Sequence, residues 1–183
     1  MIECSKVKIE GLLLFKPLIH KDERGTFSEV FKVGEYNKYL PEGIEFIQDN
    51  QSVSSYGVLR GLHFQKSNFE QSKLIRVSYG EIQDVVVDIR TDSTTFGHHF
   101  STILNQENGN QLFIPKGFAH GFLTLSDIAV VNYKVDNVYS KENESGILFN
   151  DSSLNIGWNI NIDKIKVSKK DLLLPAINQI KND

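Results

Sequence analysis

Cysteine is almost absent: Cys4 stands alone among 183 residues, so no internal disulfide can form and a reducing cytoplasm is the expected setting. Long apolar runs are missing too, none approaching the ~20 residues that a membrane helix needs. The opening Met-Ile-Glu-Cys-Ser-Lys lacks the basic-then-apolar pattern of a signal peptide. Nor is there excess positive charge: a net charge of −3 removes the electrostatic case for a general nucleic-acid binder. What is present, 40% apolar and 23% charged residues, sits near globular averages and argues against disorder, collagen or coiled coil. The length suits one domain of ordinary size, taken as residues 1–183.

Several catalytic signatures are also lacking. There is no glycine-rich phosphate loop, no nucleophile elbow around a serine and no paired-cysteine zinc site. The five histidines are His20, His63, His98, His99 and His120. None forms the His-X-His pair by which metal-binding β-barrels hold an ion. His98 and His99 are adjacent and would point to opposite sides of a strand, so no metal site is expected.

Strand signals fill residues 44–135. Ile82 to Arg90 reads IQDVVVDIR, with Val85, Val87 and Ile89 on one face and Asp84, Asp88 and Arg90 on the other. Lys73 to Tyr79, Gln111 to Pro115, Phe118 to Leu125 and Ile128 to Val135 are further β-rich runs. Turn residues separate them at Gly80, at Asn105 to Asn110, at Pro115-Lys116-Gly117 and at Ser126-Asp127. Strands this close together, with no long helix between them, argue for an all-β sandwich or barrel. Helix is expected only over Val33 to Leu40 and near the C-terminus from Lys169.

Arginine is the scarce basic residue: of 20 basic side chains only Arg24, Arg60, Arg76 and Arg90 are arginines. Arg24 and Arg60 each precede a glycine, which sets a planar, bidentate donor beside flexible backbone, a geometry suited to phosphate or carboxylate. In Gly57 to Gln65, GVLRGLHFQ, Arg60 and His63 differ in parity and would face opposite sides of an unbroken strand. A bulge at Gly61 would re-aim both into one pocket. His120 lies between Phe118 and Phe122 on one face, as a packed core residue or as a donor on an aromatic pocket wall. Tyr133 shares a face with Ala129, Val131 and Val135, as core or as a general acid. Lys73 faces the same way as Ile75 and Val77, which suits an ammonium only if a pocket receives it. Asp171, on its own, reads as a surface charge.

Taken in order, these residues resemble the dTDP-4-dehydrorhamnose 3,5-epimerase family. The motifs are DERGTFSEVF at Asp22 to Phe31, FIQDNQS at Phe46 to Ser52, GVLRGLHFQ, and SKLIRVSYGEIQDVVVDIR at Ser72 to Arg90. IPKGFAHGF at Ile114 to Phe122, Tyr133, Tyr139, Asp151, Trp158 and the closing SKKD complete a match from Pro17 to Asp171. His20 replaces an aromatic residue common in the family, and Asn159 follows Trp158 where proline is common. The resemblance implies a cupin-type double-stranded β-helix, or jelly roll, with short peripheral helices. It also implies a homodimer, no metal or organic cofactor, and a dTDP-linked 4-keto-6-deoxy sugar as substrate.

It further implies roles. His63 would be the base, Asp171 the carboxylate that orients it, Tyr133 the acid on the opposite face, and Lys73 the cation beside the developing enolate oxygen. Arg24 and Arg60 would meet the diphosphate. Phe27 and Tyr139 would be aromatic contacts, and Glu29, Gln48 and Asn50 polar contacts to the nucleotide. His120, Glu144 and Lys169 would complete the pocket. The implied reaction inverts C3 and C5 of the sugar. Inversion of one centre only, a non-catalytic nucleotide-sugar binder and a metal-dependent cupin enzyme are the alternatives.

Overall fold

The computed structural model describes residues 2–180. Two antiparallel sheets face each other. The larger holds β1 (Ile2–Lys6), β2 (Leu13–Pro17), β5 (Gln48–Ser55), β7 (Lys73–Tyr79), β10 (Gln111–Ile114) and β12 (Ile128–Val135), in the order β1-β2-β10-β7-β12-β5. The smaller holds β6 (Leu59–Gln65), β8 (Glu81–Asp88), β9 (His99–Asn105), β11 (Phe118–Thr124) and β13 (Glu144–Gly146), in the order β13-β6-β11-β8-β9. Between them in sequence, β3 (His20–Asp22) and β4 (Gly25–Phe27) pair only with each other. From β5 onward the chain steps from one sheet to the other at nearly every connection. That alternation makes the all-β sandwich expected from the strand spacing, in the jelly-roll form that the resemblance implied.

Side-chain alternation explains which face each strand buries. Ile75 and Val77 of β7, Val131 of β12, Ile82 and Val86 of β8 and Phe118 and Phe122 of β11 meet between the sheets in one apolar cluster. Each such side chain, fully buried, contributes about 1.5–3 kcal/mol. The outer face of the smaller sheet is apolar as well. Leu62, Val85, Val87 and Ala119 are covered there by Leu154, Ile177 and the Trp158 ring from the C-terminal segment. Every residue of β8 from Ile82 to Asp88 is therefore buried. The parity read from IQDVVVDIR holds, but the face that carries Asp84 and Asp88 is the interior of the sandwich.

Helix is shorter than expected. Val33 to Leu40 forms a single helical turn, α1 (Val33–Tyr36), followed by a turn in which the Tyr39 and Leu40 N–H groups donate to the Tyr36 carbonyl before Pro41. The segment from Lys169 gives only 3₁₀ turns at Asp171–Leu173 and Ile177–Gln179, separated by Pro175, which cannot continue a helix. No helix among the described residues is long and apolar enough to cross a membrane.

Candidate active site

The site begins with an irregularity in β6. Its partner β11 sets His120 opposite His63 and Phe122 opposite Arg60, so Gly61 and Leu62 together face Gly121 alone. This extra residue is the bulge expected at Gly61. Its backbone angle φ of +127° is open to glycine, and a Cβ there would lie 2.6 Å from the Gly121 Cα. The bulge cancels the parity difference. Arg60 and His63 both line one cavity of about 540 Å³ between the sheets.

The smaller sheet supplies Arg60, His63 and His120 to that cavity; the larger sheet supplies Ser52, Lys73 and Tyr133 from the facing wall. The C-terminal segment closes one side with Ser168, Lys170 and Asp171. Four residues expected to carry chemistry, His63, Tyr133, Lys73 and Asp171, thus converge from two sheets and a terminal turn. Arg60 and His120 join them.

His63 Nε2 bonds Asp171 Oδ1 at 2.8 Å. Asp171 is buried, its second oxygen accepts the Gly61 N–H at 3.4 Å, and its own N–H donates to Ser168 Oγ at 3.0 Å. Burial raises the Asp171 carboxyl, but the hydrogen bond and charge of His63, with the Gly61 N–H, outweigh it and hold the group ionised below its ordinary value. An ionised Asp171 takes the hydrogen on Nε2, which leaves Nδ1 as the basic nitrogen. Tyr133 is raised by burial, with Arg60 pulling the other way, so its hydroxyl stays a proton donor. Burial pushes the Lys73 ammonium down to about 8, opposed by the carboxylates of Asp84 and Glu144. Arg60 Nε donates to Ser54 Oγ at 2.9 Å, bridging from the smaller sheet to β5.

The remaining expected residues fall into two groups. Gln48 and Asn50 share the face of β5 that carries Ser52; Gln48 Nε2 donates to Asn50 Oδ1 at 2.7 Å, and Asn50 sits opposite Tyr133. Glu144, beside β6 on β13, accepts Tyr139 Oη–H at 2.7 Å and is paired with Lys170. Burial raises the Glu144 carboxyl, but Lys170 and Tyr139 outweigh it and hold it low. None of these four, Gln48, Asn50, Tyr139 and Glu144, lines the cavity itself. Arg24, Phe27 and Glu29 are not brought to the cavity of their own chain. Arg24 and Phe27 line a groove along the β3–β4 hairpin, where Arg24 pairs with Asp22, and Glu29 lies 3.7 Å from Lys32. Lys169 is exposed and does not line the cavity, whereas its neighbour Lys170 does. Ser52 was also missed, although the period of two through Gln48 and Asn50 leads directly to it.

With this geometry in place, the comparisons are decisive. The sequence profile described as dTDP-4-dehydrorhamnose 3,5-epimerase matches residues 6–179. The chain belongs to that family. The matched stretch extends past both ends of the resemblance read from Pro17 to Asp171. Among curated relatives of the epimerase family, the dTDP-4-dehydrorhamnose 3,5-epimerase of Shigella flexneri is 49% identical over 153 residues, 84% of each chain. That of Salmonella typhimurium is 42% identical over 179 residues, 98% of this chain and 97% of the relative. A crystal structure of the Legionella pneumophila dTDP-6-deoxy-D-glucose-3,5-epimerase, in complex with dTDP-4-keto-L-rhamnose, matches with a TM-score of 0.94 at 42% identity. That match covers 99% of this chain and 95% of that one.

Proposed function

We propose that this epimerase converts dTDP-4-dehydro-6-deoxy-D-glucose to dTDP-4-dehydro-L-rhamnose, inverting C3 and C5 with one base and one acid on facing sheets. The observation that carries the reading is the His63–Asp171 pair, 2.8 Å apart, in a cavity whose other wall presents Tyr133 and Lys73. The product named here is the molecule bound in the Legionella relative.

The C4 ketone acidifies the hydrogens on both neighbouring carbons. His63 Nδ1 takes the proton from one of them, and the electron pair of the broken C–H bond moves through the new C–C double bond onto the C4 oxygen. Lys73 steadies that enolate, a charge already in place when the transition state forms. Asp171 stabilises the imidazolium that His63 has become. The Tyr133 hydroxyl then protonates the carbon from the other side, and the enolate electrons return. His63 gives its proton to solvent and the Tyr133 phenolate takes one back, which resets both for the second carbon. Neither inversion changes the oxidation state of the sugar, so acids, bases and one fixed cation suffice for every step.

Arg60 is placed to meet the diphosphate at the mouth, with Gln48 and Asn50 leading outward as polar contacts for the nucleotide. Arg24, Phe27 and Glu29 complete this set in a homodimer. Phe27 is 68% exposed on the free-standing β3–β4 hairpin, and that hairpin is the surface a second copy would cover. We place the enzyme in the cytoplasm, where a reducing setting suits the lone Cys4.

NMR of dTDP-4-dehydro-6-deoxy-D-glucose with the purified protein in heavy water tests the reading. Deuterium at C3 and C5, with formation of the L-lyxo product, is the expected result. Exchange at one carbon only would make this a single-centre epimerase, and no exchange by folded protein would overturn the assignment.

A further inference from the structure

Asp84 is a charged group beside the cavity that the scheme above leaves without a task. It sits in the middle of β8, fully buried, and its side chain is directed between the sheets with those of Ile82 and Val86. One oxygen, Oδ2, bonds His120 Nε2 at 2.9 Å. The other, Oδ1, is buried with no hydrogen-bond partner. A carboxylate wholly removed from water is costly unless charges and hydrogen bonds compensate it, and a single neutral partner does not. As a device for stability alone this arrangement is poor.

We propose that Asp84 is a positioning residue for the epimerisation: it fixes the His120 ring through Nε2 and serves as the counter-charge that keeps Lys73 an ammonium. The proposal rests on the epimerase reading and extends it. His120 belongs to β11, which lies beside β8, and His120 lines the cavity. With Asp84 Oδ2 taking the hydrogen on Nε2, Nδ1 is the ring nitrogen that has no partner among the described residues. It is therefore the atom offered to the sugar.

Lys73 enters from the facing sheet. Its charged form is opposed by burial and favoured by Asp84 of β8 and Glu144 of β13. The other ionisable groups around the same cavity are His120 of β11, His63 and Arg60 of β6, Tyr133 of β12, Lys166 and the Lys170–Asp171 turn. Glu144 is already engaged with Tyr139 and Lys170. That leaves Asp84 as the carboxylate whose free oxygen has no other use. One buried anion would thus hold two separate groups, from two sheets, in the state the enolate requires.

The test separates charge from orientation. Asp84→Asn keeps an acceptor oxygen for His120 and removes the negative charge. Rates of exchange at C3 and C5 in heavy water are followed across neutral and alkaline pH for this variant and the wild type. The expected result is a kcat lower by about 10²-fold, the loss typical of a weakened oxyanion contact. The alkaline limb of the variant should also lie about one pH unit lower, because Lys73 has lost an opposite charge. A folded variant that keeps the wild-type alkaline limb overturns the proposal. Should the variant fail to fold, ¹⁵N NMR of the histidines in the wild-type protein decides: His120 must carry its hydrogen on Nε2, and a neutral Nδ1–H form overturns it. Wild-type protein that shows no exchange would overturn the epimerase reading itself, while the His120 tautomer would still judge the Asp84 contact.

Discussion

Adding one methyl group at Gly61 tests how the site is built. Gly61 has φ of +127°, and an added Cβ would stand 2.6 Å from the Gly121 Cα and 2.8 Å from the His120 carbonyl oxygen. Gly25, in the β3–β4 turn, supplies the control. Its φ is +128°, nearly the same, but a Cβ there would meet nothing within 4 Å. Alanine at either position carries the backbone strain of a region reserved for glycine, about 1–3 kcal/mol. Only at Gly61 must two strands also move apart, which adds about 1–3 kcal/mol of overpacking. Gly61→Ala should therefore lose about 2 kcal/mol more than Gly25→Ala in urea unfolding, read from the midpoints at unchanged slope. Because the displaced backbone carries Arg60 and His63, turnover should fall as well. Equal losses from the two substitutions would mean that the close approach of β6 and β11 does not set the bulge, and that the convergence of Arg60 and His63 has another cause.

Two further predictions concern the proposed acid, base and cation. Tyr133→Phe should still release protons from the sugar to solvent but accumulate little inverted product, whereas His63→Ala should slow both by about 10²–10⁴-fold; equal loss of exchange and product in Tyr133→Phe would make the tyrosine structural. Lys73 titrates near 8 when folded against 10.5 in the unfolded chain. Wild-type kcat/KM should consequently fall as pH rises through about 8, and a rate that stays level well beyond that point would remove Lys73 from the mechanism. Between those values the unfolded chain holds a proton that the folded one lacks, so folding becomes more favourable with rising pH. Relative to Lys73→Met, the wild type should gain about 3 kcal/mol across the window. A pH-independent difference in urea unfolding would refute the burial of this ammonium.

How much of this was legible in the sequence depends on the range of the contact involved. Period-two runs are local, and β7 and β12 lie at Lys73–Tyr79 and Ile128–Val135 as their patterns predicted. The bulge was legible too, since Gly61 breaks a parity that Arg60 and His63 need restored. The solvent side of β8 was not, because the apolar cover over Val85 and Val87 comes from Leu154 and Ile177, far along the chain. The role of Asp171 was invisible without a family resemblance, because its partner His63 is 108 residues away. Arg24, Phe27 and Glu29 show the opposite limit. The resemblance implied substrate contacts for them, yet the fold of one chain leaves them outside the cavity, Arg24 and Phe27 on a separate hairpin and Glu29 just past it.

Two histidine–aspartate pairs with the same chemistry face each other across one strand register, His63 directly opposite His120. Their surroundings divide the work. The His63 side chain is 30% exposed and that of Asp171 6%; for His120 and Asp84 the values are 9% and 0%. A base that serves two carbons in turn must unload its proton to water between them, and only the more open pair has access to do so. The enclosed pair exchanges protons poorly, but it keeps a fixed orientation, which is what a contact to the enolate needs. On the proposed mechanism, environment rather than residue type separates the two roles.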